Sequence, residues 1–95
     1  MEMSRQTFSK TDSYHIQWEV IEDQCHVHCT VQNWTPAVLK RGYVEFVRLR
    51  DFIGSLGYDC FYSITPNPKF CEVFGGEYIG EQNGKEVMMW VTARL

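Results

Sequence analysis

Residues 25–40 read CHVHCTVQNWTPAVLK, and this stretch combines a strand pattern with a helix start. From Cys25 to Gln32, cysteine and valine alternate with more polar side chains, which is the period-two pattern of a half-buried strand. Thr35 then offers a capping hydroxyl, and Pro36 suits the first position of a helix. The stretch therefore predicts a strand that leads through a short loop into a helix.

The residues before this stretch predict a partner strand. Apolar and polar side chains alternate from Tyr14 to Val20, and Glu22-Asp23 separates this run from the next one. If the chain turns at Glu22-Asp23, the two runs form an antiparallel hairpin that places Glu19 opposite His26. We expect residues 1–12 to be a flexible tail, and residues 13–95 to form one domain.

The residues after it predict the rest of a sheet. The helix is expected to continue to about Leu56 and to end at Gly57, a residue type common at helix ends. A strand, a short helix and a hairpin turning at Asn83-Gly84 should follow, over residues 59–65, 69–74, 77–82 and 85–93. The order is β-β-α-β-α-β-β. Because a strand–helix–strand passage joins parallel strands and hairpins join antiparallel ones, we expect an α/β fold with a mixed sheet.

The long helix should present an apolar side to this sheet. Its apolar residues recur at helical spacing: Leu39, Tyr43, Phe46, Ile53 and Leu56. Arg41, Glu45 and Arg48 are expected on the opposite, charged side as neighbouring ion pairs.

Composition narrows the classes of partner. The 95 residues are 15% aromatic and carry a formal net charge of −3, which argues against the basic surface that nucleic-acid binding requires. No apolar run approaches the ~20 residues of a membrane span, and the polar N-terminus does not resemble a signal peptide. We therefore expect no nucleic-acid or membrane partner, a cytoplasmic location, and four cysteines present as reduced thiols.

Three histidines raise the question of a metal site. His26 and His28 project from the same face of their strand, and His15 would lie diagonally from His28. Cys25 and Cys29 cannot join them, because alternation sends their sulfurs to the other face. Since no ligand motif follows downstream, we expect the histidines to occupy a polar sheet face, with no metal bound; a metal-dependent sensor built on these three histidines is the third alternative.

The element order resembles that of the GCN5-related N-acetyltransferase (GNAT) family, seen from its second strand onward. In that family a strand leads into the signature Q/R-x-x-G-x-G/A and a long helix, whose N-terminus and loop amides hold the pyrophosphate of acetyl-coenzyme A. Here Gln32 and Ala37 fit the first and last positions, whereas Thr35 replaces the central glycine and Pro36 removes an amide hydrogen. The resemblance therefore implies a weakened or absent cofactor site.

A second part of the resemblance covers residues 59–80, DCFYSITPNPKFCEVFGGEYIG. Asn67 corresponds to the family's asparagine that opens a short helix, and Gly75-Gly76 contains the glycine that closes it. The tyrosine that often acts there as general acid is absent, and Phe74 cannot donate a proton. The resemblance spans about residues 14–93, without the family's N-terminal strand and first two helices.

Small GNAT-like proteins with eroded cofactor loops occur among bacteriophage virion and head-assembly proteins, and this sequence is similar to them in pattern. The resemblance implies a non-catalytic or weakly cofactor-binding domain that acts through protein–protein interaction, in phage assembly or host interaction. It would then reside in the host cytoplasm or the virion. Many aromatic residues and a sheet face or edge without helices favour a protein partner or a homodimer. No cofactor is expected on this interpretation, and no catalytic residue is assigned.

The alternative is an active N-acetyltransferase that uses acetyl-coenzyme A despite Thr35 and Pro36. Lys40 and Arg41, one turn into the helix, would then help to neutralise the pyrophosphate, and Asn67 would complete the cofactor-binding set. A water molecule or the thiolate of Cys71 would handle protons. An open cleft between the strands 25–32 and 59–65 would favour cofactor binding.

Overall fold

A computed structural model describes residues 3–65 and 68–92. It contains six strands and two helices in the order β-β-β-α-β-α-β-β. The elements are β1 (Met3–Lys10), β2 (Tyr14–Ile21), β3 (Gln24–Val31), α1 (Pro36–Ser55), β4 (Cys60–Thr65), α2 (Pro68–Val73), β5 (Glu77–Gln82) and β6 (Lys85–Val91).

All six strands form one sheet in the order β1-β2-β3-β4-β6-β5. β3 and β4, which α1 connects, are parallel, and the other neighbouring pairs are antiparallel. The mixed sheet predicted from the sequence is therefore confirmed, but it has one strand more than predicted.

The additional strand corrects the expected flexible tail of residues 1–12. Residues Met3–Lys10 form β1, which pairs with β2 at the edge of the sheet. This strand was missed because its side chains are mostly polar and lack strict alternation. Its inward contact comes from Phe8, whose ring lies 5.4 Å from that of Phe52 on α1.

Both tight turns lie where the sequence places them. Glu22 and Asp23 adopt positive φ angles of 50° and 63°, and the register that follows sets Glu19 opposite His26. Asn83 and Gly84 also have positive φ angles, 54° and 77°, as a two-residue type I′ hairpin turn requires. The β2–β3 and β5–β6 hairpins therefore follow from local sequence.

Helix α1 begins as predicted, and the side that it presents to the sheet agrees with the prediction in part, at Leu39, Phe46 and Ile53. Thr35 Oγ1 accepts a hydrogen bond from the Val38 amide at 3.2 Å, so Thr35 is the N-terminal cap. The buried residues of α1 are Glu45, Phe46, Leu49 and Ile53. Tyr43 and Leu56, expected to face the sheet, are exposed. Glu45, expected on the outer charged side, is only 1% exposed.

The two helices cover the same face of the sheet, which we call the covered face. Trp18 on β2 contacts Phe52 of α1, and Trp90 on β6 stacks on Phe46 of α1. After α2, the chain returns to the same layer, because Phe74 stacks on Phe46 with ring centroids 5.1 Å apart. The core lies between this face and α1.

Neither described helix is long and apolar enough to cross a membrane.

Side chains that alternate with the core residues point to the opposite face, which we call the open face. Its half on β1–β3 is polar and carries Arg5, Thr7, His15, Gln17, Glu19, His26, His28 and Thr30. Its half on β4 and β6 is apolar and carries Cys60, Tyr62, Ile64, Val87, Met89 and Val91, which we call the apolar stripe. Every one of these stripe residues is partly or largely exposed.

Candidate ligand-binding cleft

The parallel strands β3 and β4 separate along their length and open a wedge. They are in register at Cys25 with Phe61 and at His26 with Tyr62. Beyond these pairs, residues 29–31 of β3 and 63–65 of β4 line opposite sides of a shared cavity. Strand edges that have moved apart direct backbone amide and carbonyl groups into the gap, where a ligand can satisfy them.

The cavity measures about 300 Å³, at the lower end of the range for small-molecule sites. Its lining is mostly apolar, with hydroxyl and thiol groups among the aromatic side chains. The lining residues are Cys29, Thr30, Val31, Trp34, Phe46, Ser63, Ile64, Thr65, Cys71, Phe74 and Trp90. A narrow, largely apolar slot with a few polar groups suits an extended chain better than a bulky polar group.

A stack of aromatic rings forms the wall of the cleft on the covered face. Trp90, Phe46 and Phe74 follow one another with centroid separations of 5.5 and 5.1 Å, and Trp34 lies 6.4 Å beyond Phe74. Trp90 Nε1 donates a hydrogen bond to the Phe74 carbonyl oxygen at 3.2 Å. The stack therefore joins α1, β6 and the segment after α2.

The thiols of Cys29 and Cys71 belong to the cleft. Cys29 is exposed as a residue, but desolvation of its thiol raises the pKa to about 11, and the nearby Cys71 thiol adds to the rise. Burial also raises the pKa of Cys71, although a hydrogen bond with Thr65 works against it. Both groups are therefore thiols at neutral pH. The raised pKa disfavours the Cys71 thiolate that the alternative would use to handle protons.

The N-terminus of α1, at the mouth of the cleft, has few amides to offer an anion. Pro36 has none, and the Val38 amide is bonded to Thr35 Oγ1. The Leu39 amide donates to the Thr35 carbonyl oxygen at 2.9 Å. Within the first turn this leaves the amide of Ala37, so a diphosphate would receive much less than a glycine-rich loop provides.

The residues predicted to bind a cofactor lie beside the cleft and not in it. Gln32, Thr35, Ala37, Lys40 and Arg41 are all exposed, on the loop after β3 and the first turns of α1. None of these five is among the described residues that line the cavity. Asn67, the sixth, lies outside the described residues.

The sequence analysis did not identify the residues that line the cleft. Its wall residues Trp34, Phe46, Phe74 and Trp90 come from four separate parts of the chain. Trp34 was the one available signal, since a tryptophan in a polar loop next to a helix start is exposed unless it covers something. The strand separation leaves no local pattern in the sequence.

The three histidines have separate surroundings. His15 Nε2 is hydrogen-bonded with Thr7 Oγ1 at 2.9 Å, and His28 Nε2 lies 2.9 Å from Glu19 Oε2 without hydrogen-bonding alignment. His26 packs its ring against the neighbouring strand β4. Across residues 3–65 and 68–92, no three His, Cys, Asp or Glu side chains are arranged to hold a metal ion.

No protein-family model, curated protein or solved structure matches this chain.

Proposed function

We propose that this chain is a GNAT-like binding domain that holds the pantetheine arm of an acyl-coenzyme A weakly, without catalysing acetyl transfer. The observation that carries the proposal is the wedge between β3 and β4, which opens after the His26–Tyr62 pair into the cavity of about 300 Å³. This is the place where the resemblance predicts a cofactor cleft.

The sheet supports the proposal. A strand, a long helix and a parallel strand are followed by a short helix and an antiparallel hairpin, as in the part of the GNAT order that the sequence resembles. The pantetheine arm is an extended chain with two amide groups. It matches a slot whose edges are strand backbone and whose wall is the ring stack from Trp90 to Trp34.

Weak binding follows from the entrance to the cleft. The diphosphate of coenzyme A would meet Thr35 and Pro36 where the resemblance predicts a hydrogen-donating loop. Lys40 and Arg41 are exposed, so an ion pair with a phosphate would contribute little. We therefore expect the pantetheine arm to supply most of the binding energy.

The absence of catalysis follows from the chemistry of the walls. The titratable groups among the described lining residues are the thiols of Cys29 and Cys71, and both have raised pKa values. General-base catalysis of acyl transfer needs a group that accepts a proton near neutral pH. Phe74, directly after α2, has no hydroxyl with which to act as an acid.

Calorimetric and thermal-shift titrations with pantetheine, acetyl-coenzyme A and 3′,5′-ADP test the proposal. We expect pantetheine and acetyl-coenzyme A to bind with dissociation constants within about threefold of each other, and 3′,5′-ADP not to bind. Ligand at about 100 times its dissociation constant should stabilise the protein by about 2.7 kcal/mol. No acetylated amine should form in a parallel assay.

A pair of variants locates the site. Cys29→Trp fills the cleft and should abolish the shift, whereas Val44→Trp, on the exposed side of α1, should leave it unchanged. Acetyl-coenzyme A binding about 100-fold more tightly than pantetheine, or measurable acetyl transfer, would favour the active enzyme instead. No shift with any ligand at millimolar concentration would remove the cofactor from the proposal.

A further inference from the structure

The open face carries apolar side chains that no described helix covers. Ile64 and Val91 of the apolar stripe are 43% and 47% exposed, although each belongs to a strand with a neighbouring strand on both sides. Tyr62 and Met89 lie side by side between them, in register across β4 and β6. Contiguous exposed apolar side chains of this kind mark interaction surfaces.

The charges on the rest of this face disfavour several kinds of partner. Arg5 Nε donates to Glu19 Oε2 at 2.9 Å, so the polar half contains both signs of charge already paired. Glu77, in register with Met89, adds a carboxylate next to the stripe. Neither nucleic acid nor an anionic membrane surface would be attracted to such a face.

The size of the face matches what a dimer of this chain needs. Six strands about 4.8 Å apart, with about seven residues each at ~3.4 Å, give a face of roughly 29 by 24 Å, or about 700 Å². A standard protein–protein interface takes about 800 Å² from each partner. The stripe alone, on two of the six strands, is too small, so an occupant has to cover the polar half as well.

A second copy of the chain can cover both halves at once. A two-fold axis that lies in the interface and runs across the strands places each strand over its own counterpart. The apolar stripe then packs on the apolar stripe, and the polar half, with its mixed charges, packs on the polar half. This is the face-to-face packing of two sheets seen in β-sandwiches.

We propose that the open face is the interface of a symmetric homodimer, in which the two apolar stripes pack against each other. The dimer does not require a ligand in the cleft, because the ring stack lies on the covered face; Thr30 and Ile64 are the open-face residues that also line the cavity. Each protomer would keep its own wedge accessible from the outside of the dimer.

Sedimentation equilibrium of two double variants tests the interface. Met89→Lys with Val91→Lys places two charges in the stripe at residues that do not line the cavity, and should raise the dimer dissociation constant by at least about 100-fold. Val44→Lys with Val73→Lys adds the same charges at two exposed apolar positions on the helices and should change it less than about threefold. A wild-type monomer at about 100 µM, or equal dissociation of both variants, would overturn the proposal.

Alkylation of the native thiols gives a readout that does not depend on a variant folding. Cys60 belongs to the open face, where its thiol donates a hydrogen bond to Tyr62 Oη at 3.4 Å, and Cys29 lies in the cleft. As protein concentration rises through the dimer range, alkylation of Cys60 should slow while that of Cys29 stays constant. A dimer with unchanged Cys60 reactivity, or with Cys29 protected instead, would place the interface elsewhere.

Discussion

His26 and Tyr62 occupy the last register position that β3 and β4 share, and their ring centroids lie 5.8 Å apart on the open face. Past this pair the strands separate into the wedge. The same pair lies where the polar half of the open face meets the apolar stripe. The His26–Tyr62 pair therefore marks two boundaries. The cleft ends at this pair, and on the open face the polar half meets the apolar stripe there.

Gly76 is required by the packing of Trp90. A Cβ atom added at Gly76 would lie 2.8 Å from the indole ring and 3.0 Å from the Cys71 carbonyl oxygen. Gly76→Ala should therefore destabilise the protein by about 1–3 kcal/mol in urea unfolding. Gly54→Ala is the control, because its Cβ would meet Thr92 at an ordinary 3.5 Å and should be neutral or stabilising by up to about 1 kcal/mol.

Glu45 is a buried carboxylate with one ionic partner among the described residues. Arg48 Nη1 donates to Glu45 Oε1 at 2.8 Å, and no described residue bonds to Oε2. Glu45→Leu should leave stability unchanged or raise it, because the cost of burying the charge disappears. Arg48→Ala should lower the free energy of unfolding by about 1–3 kcal/mol, because it leaves that charge unpaired.

Chemical denaturation of both variants, beside Arg41→Ala as an exposed control on the same helix, measures these effects. Arg41→Ala should stay within about 0.5 kcal/mol of the wild type. A large loss of stability in Glu45→Leu would show that the carboxylate has a structural partner that apolar packing cannot replace.

The buried thiol of Cys25 should make the protein less stable in alkaline solution. Burial raises the pKa of this thiol from 9.0 to about 11. Between these values the unfolded chain releases the proton and the folded chain keeps it, so the free energy of unfolding falls as pH rises from about 9 towards 11. The loss from this group should reach about 2 kcal/mol.

Urea unfolding at pH values of about 8 and 10.5 measures this loss in the wild type and in Cys25→Ala. The variant lacks the titrating thiol, so its stability should fall less over the same interval. Equal losses in the two proteins would assign the alkaline sensitivity to other groups.

The lowered pKa of His28 should make the protein less stable in acidic solution. Burial lowers the pKa of His28 below 6.5, and the charge on Arg5 lowers it further, while the nearby Glu19 carboxylate acts in the opposite direction. The unfolded chain therefore takes up the proton first, so the free energy of unfolding falls as pH drops below about 6.5. Between pH values of about 7.5 and 5.5, His28→Gln should lose less stability than the wild type.

Local elements could be predicted where a few adjacent residues determine the backbone. Thr35-Pro36 placed the start of α1, Asn83-Gly84 placed the last hairpin, and the alternation from Cys25 onward placed β3. β1 could not be predicted because an edge strand needs few apolar residues. The buried side of α1 was only partly predicted, because the packing of the helix against the sheet is set by distant residues such as Phe74 and Trp90.

The sequence predicted the region in which the cleft lies, but not the residues that line it. The segment from Gln32 to Arg41, which comprises the loop after β3 and the first turns of α1, does adjoin the cleft, since Trp34 within it lines the cavity. The separation of β3 and β4 depends on backbone geometry across two strands that are about 30 residues apart in sequence, and no motif records it. A role in bacteriophage assembly stays a prediction. It rests on a sequence pattern, and one residue of that pattern, Asn67, lies outside the described residues.

The two outermost strands of the sheet are irregular. The pairing of β1 shifts register between Met3 and Gln6 and again between Thr7 and Ser9, and that of β5 shifts between Tyr78 and Gly80. Such register shifts twist each edge strand, so that its backbone hydrogen-bonding groups are poorly placed to pair with a strand of another molecule. Growth into fibrils by addition of strands is thereby discouraged, and concentrated solutions of this protein should contain closed assemblies and not open-ended polymers.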